Sequence, residues 1–232
     1  MKRSLEKELM DLPGQSRELL EEDLRNLRVL NRCLGGSRAV IRGLTRAVQR
    51  QGLSKFSLLD VGTGSGDIPA VIASWARNKG LGGQIVGLEA ALVTIQAAVR
   101  QTKHLPEIAI VRGDATQPPF PSGSFDFVVA SQLLHHFSEE TIISNLRVWS
   151  KLARRAIIIS DLVRHPVAYY GIGCLTRLAT RNIMTLTDAP LSVKRAFTLS
   201  EWQDLFNRAG VGQVELFSVF PFRMMAILSP SP

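Results

Sequence analysis

The sequence predicts an α/β fold, a three-layer sandwich with a mostly parallel sheet between two layers of helices. From Lys55 onward, short apolar runs alternate with amphipathic stretches of helical length. Strands separated in this way pair in parallel through right-handed crossovers. The first apolar run ends in a glycine-rich loop, Asp60-Val61-Gly62-Thr63-Gly64-Ser65-Gly66. Sheets of this type bind ligands at such places, at the carboxyl ends of their strands. The chain has 232 residues, of which 45% are hydrophobic. That is enough for one such core with a small elaboration, and short of two full domains.

Residues 1–51 read as helical. Leu19, Leu20, Leu24, Leu27 and Leu30 recur at three- and four-residue steps with charged residues between them. Gly35-Gly36 breaks this helix, and Ser37 is placed to cap a second one running to about Gln51. We expect 1–51 to form a helical cap or lid, and 52–232 to form the main domain.

Phe56 to Val61 is the first strand, and a helix from about Asp67 to Asn78 follows. Pro69 suits the first turn of that helix, where a missing N–H costs nothing. Gln84 to Leu88 is the second strand, ending at Glu89, and residues 91–103 are helical. Ile108 to Val111 is the third, ending at Arg112-Gly113-Asp114. After a proline-rich loop, Phe125 to Ala130 forms the fourth strand and Ser138 to Lys151 a helix. Ala156 to Ser160 is the fifth, ending at Asp161. Val214 to Phe220 and Arg223 to Leu228 are separated only by Pro221-Phe222. Such close spacing favours an antiparallel hairpin at the sheet's edge.

The bulk properties narrow the function. Net charge is +8, which permits a nucleic-acid or anionic-membrane partner, but the basic residues are scattered and no block of five like charges occurs. No run of about 18 apolar residues suggests a membrane span. The amino terminus turns acidic at once and lacks a signal-peptide core, so a cytoplasmic location is expected. Cys33 and Cys174 belong to no CxxC unit. We expect both to be buried as small apolar residues, with no disulfide framework and no metal site.

The glycine loop fits a dinucleotide poorly. That fingerprint requires G-x-G-x-x-G, but the third position is Asp67 counted from Gly62 and Pro69 counted from Gly64. A pyrophosphate tolerates carboxylates badly, yet Asp60 precedes the loop and Asp67 follows it. S-adenosylmethionine has no phosphate, and its sulfonium and ammonium groups welcome carboxylates. Glu89, followed by Ala90, is placed to accept from ribose hydroxyls. Asp114 is placed to accept from an adenine amino group, with Gly113 and Ala115 beside it.

These residues resemble the class I (Rossmann-like) S-adenosylmethionine-dependent methyltransferases, from Leu58 to about Ile159. Leu59-Asp60-Val61-Gly62-Thr63-Gly64-Ser65-Gly66 is similar to that family's first motif. Gly113-Asp114-Ala115, Pro119-Phe120 and Phe125-Asp126 resemble the next two. Phe197-Thr198 to Glu201-Trp202, then Ala209-Gly210, resembles a helix near the family's carboxyl end. The resemblance implies a seven-stranded sheet whose last strand is antiparallel, with Ser131 and Gln132 also at the cofactor.

The same resemblance informs the acceptor side. The loop after the fourth strand reads Ser131-Gln132-Leu133-Leu134-His135-His136-Phe137. Nucleic-acid amino methyltransferases carry Asn/Asp-Pro-Pro-Tyr/Phe there, and this chain does not; Pro118-Pro119-Phe120 precedes the strand. The histidine pair resembles that of small-molecule O-methyltransferases, in which the first histidine can be a general base assisted by an acid after the fifth strand. His135 and Asp161 hold those positions, with His136 adjacent. Imidazole chemistry suits deprotonation of a hydroxyl.

The segment around 163–195 is an insert expected to close the acceptor pocket with the amino-terminal helices. Tyr169, Tyr170, Ile172, Leu175 and Met184 make it apolar; Arg164, Arg177, Arg181, Lys194 and Arg195 make it basic. An aromatic or lipid-like acceptor would suit it. A solvated outer face and a peripheral membrane contact are alternatives for those charges. The expected activity is O-methylation of a phenolic, polyketide or quinone-type compound. C-methylation of an aromatic precursor is an alternative, and a catalytically silent cofactor-binding module is one of a different class. The chain leaves open a monomer or a homodimer.

Overall fold

The computed structural model describes residues 1–229. Its centre is a seven-stranded sheet of order β3-β2-β1-β4-β5-β7-β6. The strands are β1 Lys55–Val61, β2 Gly82–Glu89, β3 Ile108–Arg112, β4 Phe125–Ser131, β5 Ala153–Leu162, β6 Gln213–Val219 and β7 Arg223–Ser229. β1 to β5 pair in parallel, and β7 runs antiparallel to both β5 and β6. The hairpin lies at the sheet's edge as expected, with β7 beside β5 and β6 outermost. β5 is also longer than its apolar stretch predicts at both ends, because Phe125 of β4 pairs with Ala153 and β7 supplies partners out to Leu162.

The helices are α1 Arg17–Cys33, α2 Gly36–Gln51, α3 Asp67–Asn78, α4 Leu92–Thr102, α5 Glu139–Leu152, α6 Pro166–Ala179, α7 Ile183–Arg195 and α8 Leu199–Ala209. Side chains alternate across the central strands and so feed two cores. Leu59, Val128, Ile157 and Ile159 face α5 and α8, where Trp149 and Trp202 are fully buried. Leu58, Val129 and Ile158 face the other side, against Val40 and Leu44 of α2 and Ile68 and Ile72 of α3. Each such Leu or Ile contributes about 1.5–3 kcal/mol by leaving water.

α2 is thus a layer of the sandwich, whereas α1 leans across the carboxyl end of the sheet and touches α4 and α7. Polar contacts dock α1 on α7. Asn182 caps α7 by accepting from Thr185 N, and its amide donates to Leu19 O and Glu22 Oε2. The break between α1 and α2 falls where the glycines predict, but the N-cap of α2 is Gly35 in a left-handed conformation (φ 80°), and Ser37 lies inside the helix. Tight chain reversal there requires positive φ, which glycine adopts without strain. Cys33 and Cys174 are both exposed, which corrects the expectation of burial. The buried positions of these helices are held instead by Asp23 and Leu24 on α1 and by Gly173 and Thr176 on α6. No helix among the described residues is long and apolar enough to cross a membrane.

Candidate active site

One cavity of about 520 Å³ opens at the carboxyl ends of β1, β2 and β4. That volume suits a small-molecule site. It has a glycine-loop end and a histidine end, and α1 with the segment around Leu9–Asp11 roofs both.

At the first end, the β1–α3 loop turns through three glycines with positive φ. They do different work. A Cβ on Gly62 would lie 2.7 Å from Leu133 Cδ1, so that glycine allows the loop to pack on the segment after β4. A Cβ on Gly64 would meet nothing within 4 Å and would project into space that a ligand can use.

Four acids surround this loop. Asp60 is buried and accepts from Thr63 Oγ1 at 2.7 Å. Burial pushes its carboxyl up to about 8, against the pull of the Thr63 hydrogen bond. Burial also raises Asp67, which accepts from the Asn31 amide at 3.3 Å. Glu89 spans two loops: one oxygen accepts from Gly64 N at 3.0 Å, the other from Ala90 N at 2.9 Å and Ala91 N at 3.0 Å. Its carboxyl is raised too, chiefly by burial. Asp114 accepts from Thr116 N at 2.7 Å and lines the cavity with Gly113 and Ala115. The Trp149 indole donates to Ala115 O at 2.9 Å and pins that turn.

Ser131 and Gln132 complete the wall. Ser131 Oγ is buried without a hydrogen-bond partner among the described residues. Gln132 adopts a positive φ of 52°, uncommon for a side-chain-bearing residue, and its amide hydrogen-bonds Asn31. A cationic, phosphate-free cofactor fits these observations. The cradle at Gly64 is open, Asp60, Asp67 and Glu89 are desolvated and raised, and Ser131 has an unused polar atom. Asp60, Gly62, Thr63, Gly64, Asp67, Glu89, Ala90, Gly113, Asp114, Ala115, Ser131 and Gln132 all line the cavity; Gly66 does not, and instead caps α3 against Ala98 and Thr102 of α4.

At the other end, a 3-10 turn, Leu134–His136, follows β4. His135 is buried, and its Nδ1 lies 2.7 Å from Asp161 Oδ1. Asp161 also accepts from Leu134 N at 3.1 Å and Leu162 N at 2.7 Å. Burial alone would raise Asp161, but the charge and hydrogen bond of His135, with the Leu162 N–H, hold it below the usual range. His136 Nδ1 lies 2.8 Å from Asp11 Oδ2. The two imidazoles are 4.4 Å apart between centroids.

Several residues here escape a reading of the sequence. Glu8 is 1% exposed and lies 3.6 Å from His135 Nε2 and 3.8 Å from His136 Nε2. Burial pushes it up to about 7. Nothing in Leu5-Glu6-Lys7-Glu8 distinguishes it from a solvated charge. Asn31 had a signal, since it continues the Leu20, Leu24, Leu27 spacing, and all four line the cavity. Arg195 is buried and donates to His135 O at 3.3 Å and His136 O at 2.8 Å. Arg223, also buried, donates to Leu34 O at 2.8 Å. Burial pushes it down to about 10, opposed by the charge of Asp161.

The insert behaves differently from its apolar reading. Only Asp188, Ser192 and Arg195 of α7 line the cavity, among the described residues. Tyr169, Tyr170, Ile172 and Leu175 on α6 do not, and Tyr170 is 73% exposed. The reason is the docking of α1 and the Leu9–Asp11 turn on α7, which places the amino-terminal segment where α6 was expected.

Residues 59–154 match a family model described as a methyltransferase domain. Over 76 residues the chain is 42% identical to the nocamycin O-methyltransferase of Saccharothrix syringae, covering 32% of this chain and 26% of that protein. Over 85 residues it is 33% identical to the demethylmenaquinone methyltransferase of Staphylococcus haemolyticus, covering 35% of this chain and 36% of that protein. The chain spans 26% to 56% of the length of the curated relatives it matches. The crystal structure of human N-acetylserotonin methyltransferase in complex with S-adenosylmethionine shares its fold. The TM-score is 0.67 at 16% identity, covering 94% of this chain and 57% of that one. Residues 59–154 therefore match a methyltransferase domain, on a fold shared with a methyltransferase solved in complex with S-adenosylmethionine.

Proposed function

We propose that this protein transfers a methyl group to a hydroxyl of a small aromatic or lipid-like molecule of the phenolic, polyketide or quinone type. One observation carries the reading: the glycine loop and His135 share a single cavity. S-adenosylmethionine, when bound, supplies an activated methyl group. Gly62, Thr63, Gly64, Asp67, Glu89, Ala90, Asp114, Ala115, Ser131 and Gln132 would hold it, with Asp60 buried behind Thr63 and Gly66 ordering the start of α3.

The chain's own groups do the rest. Asp161, held ionised, accepts a hydrogen bond from the Nδ1–H of His135. The lone pair of that imidazole is then on Nε2, where it can take a proton from an acceptor hydroxyl. His136 is fixed in the same sense by Asp11. Leu20, Leu24, Leu27, Leu133 and Phe137 offer apolar walls, while Lys7, Arg28 and Arg195 line the cavity with positive charge. An acidic phenol or a carboxylate-bearing ring suits both. Residues 1–34 act as the lid, since residues of α1 and the Leu9–Asp11 turn line the cavity over the glycine loop and the histidines.

The partial likeness to demethylmenaquinone methyltransferase supports a second reading, C-methylation of an aromatic precursor. A panel of phenolic acceptors, scored by S-adenosylhomocysteine release, tests the first, and product mass with NMR separates O- from C-transfer. Absence of release across the panel, with cofactor binding intact, would favour a silent cofactor-binding module.

A further inference from the structure

At the histidine end of the cavity three potential metal ligands converge from two distant parts of the chain. Glu8, from the amino-terminal segment, offers a carboxylate to His135 Nε2 at 3.6 Å and to His136 Nε2 at 3.8 Å, and all three ligand atoms lie within 4.8 Å of one another. We propose that Glu8, His135 and His136 form a binding site for a divalent transition-metal ion of the zinc or cobalt type, open on its cavity side.

The strongest support is behind the ligands. Histidines that bind metals almost always give their other ring N–H to a carboxylate or carbonyl, which fixes the ring and its tautomer. Both do so here: His135 Nδ1 is 2.7 Å from Asp161 and His136 Nδ1 is 2.8 Å from Asp11. Both Nε2 atoms are thereby left to face Glu8. Glu8 Oε1 is buried with no hydrogen-bond donor among the described residues. Such a carboxylate oxygen is costly unless something cationic reaches it.

The distances are compatible. Bonds of 2.0–2.1 Å in a tetrahedral site separate ligand atoms by about 3.4 Å. The 3.6 Å separation is from Glu8 Oε1 to His135 Nε2 and the 3.8 Å separation from Glu8 Oε2 to His136 Nε2, and with one ligand atom from each residue lying within 4.8 Å of the others, the three would draw together on an ion. Two nitrogens and one oxygen leave further positions free, and the cavity that the three residues line is on that side. An acceptor oxygen could occupy one.

The nearby charges include one opposing group. Arg195 Nε lies 3.6 Å from Glu8 Oε1. Its guanidinium is already engaged by the carbonyls of His135, His136 and Glu6, which hold it short of a hydrogen bond to Glu8. Against it stand the carboxyl groups of Glu8, Asp11, Asp161 and Asp188, so the end as a whole is suited to a cation. An ion on Nε2 would occupy the lone pair that proton abstraction by His135 needs. The site thus shares the methyltransferase reading but assigns His135 a different part in it.

The test uses the full chain, prepared without a histidine tag and stripped with chelator. Cobalt(II) is titrated in and read by visible absorption, with zinc(II) as competitor. The expected result is one ion per chain with tetrahedral cobalt bands that zinc abolishes. Asp11→Asn should weaken binding roughly 10- to 100-fold, and Glu8→Gln and His136→Ala should weaken it further. S-adenosylmethionine binding by each variant is measured alongside and should persist, which separates loss of the metal site from loss of the fold. No cobalt spectrum in the wild-type chain, or binding that survives both Glu8→Gln and His136→Ala, overturns the proposal. Either result leaves the methyl-transfer reading intact, because that reading fails only on the acceptor panel.

Discussion

His135 Nδ1 sits 2.7 Å from Asp161 Oδ1, with both side chains no more than 3% exposed. Neither residue is near the other in sequence; the parallel pairing of β4 with β5 brings them together, with Ser131 opposite Ser160. If His135 is the base, Asp161→Asn should remove the acceptor that holds its tautomer. Turnover should then fall on the order of 10²- to 10⁴-fold while the Kd for S-adenosylmethionine stays within a few-fold. Unchanged turnover in His135→Ala would end the base assignment.

The loop glycines should separate by role. Gly62→Ala and Gly64→Ala both incur strain from their left-handed backbone, about 1–2 kcal/mol. Only Gly62→Ala adds a clash, with Leu133, costing about 1–3 kcal/mol more. Thermal unfolding should show the larger loss of stability in Gly62→Ala. Calorimetry should show weakened cofactor binding in Gly64→Ala out of proportion to its small change in Tm. Equal effects on both measures would contradict the distinction.

Asp60 predicts a pH dependence. Its folded carboxyl is raised to about 8 from 3.8, so the folded chain holds a proton that the unfolded chain has lost. The stability it contributes is fully present below the unfolded value and is lost as pH rises through the folded one. Cofactor-free protein should therefore lose Tm progressively from about pH 4 to about pH 8 through this group, and Asp60→Asn should flatten that loss. Binding a cationic ligand should release a proton near pH 7, visible as a binding enthalpy that varies with the buffer's ionisation enthalpy. A buffer-independent enthalpy would argue against it.

Asn31 is the polar link between the lid and the cofactor end, bonded to Asp67 and Gln132. Asn31→Ala deletes two hydrogen bonds, each contributing about 0.5–1.5 kcal/mol net. The expected result is faster amide exchange in α1 and cofactor binding weakened several-fold. Exchange in α1 that matches the parent chain would show that the lid is held by α7 alone.

Much of this site is legible in the sequence because its parts are local. The turn at Gly62, Gly64 and Gly66, the acid closing β2 and the Gly113-Asp114-Ala115 turn each lie within a few residues of a strand end, and strand ends can be found from apolar runs. Glu8 is not legible in that way, and Asn31 and Arg195 show only a helical spacing and an insert's positive charge. Their neighbours in space lie on other elements, and their local sequence is that of an ordinary charged or amphipathic surface. Tyr169 and Tyr170 show the converse: an apolar composition suggests a pocket wall, but the face of α6 that carries Tyr170 has solvent in front of it.

By itself, the sequence determined the layered α/β fold and the position of the glycine loop. Each follows from short-range periodicity and from acids and glycines at fixed offsets. Tertiary structure alone decided what roofs the cavity and what meets the histidines. Those outcomes depend on how α1 and α7 dock through Asn182 and Asp188. That docking brings Glu8 to His135 across more than half the length of the chain, a relation that no local pattern encodes.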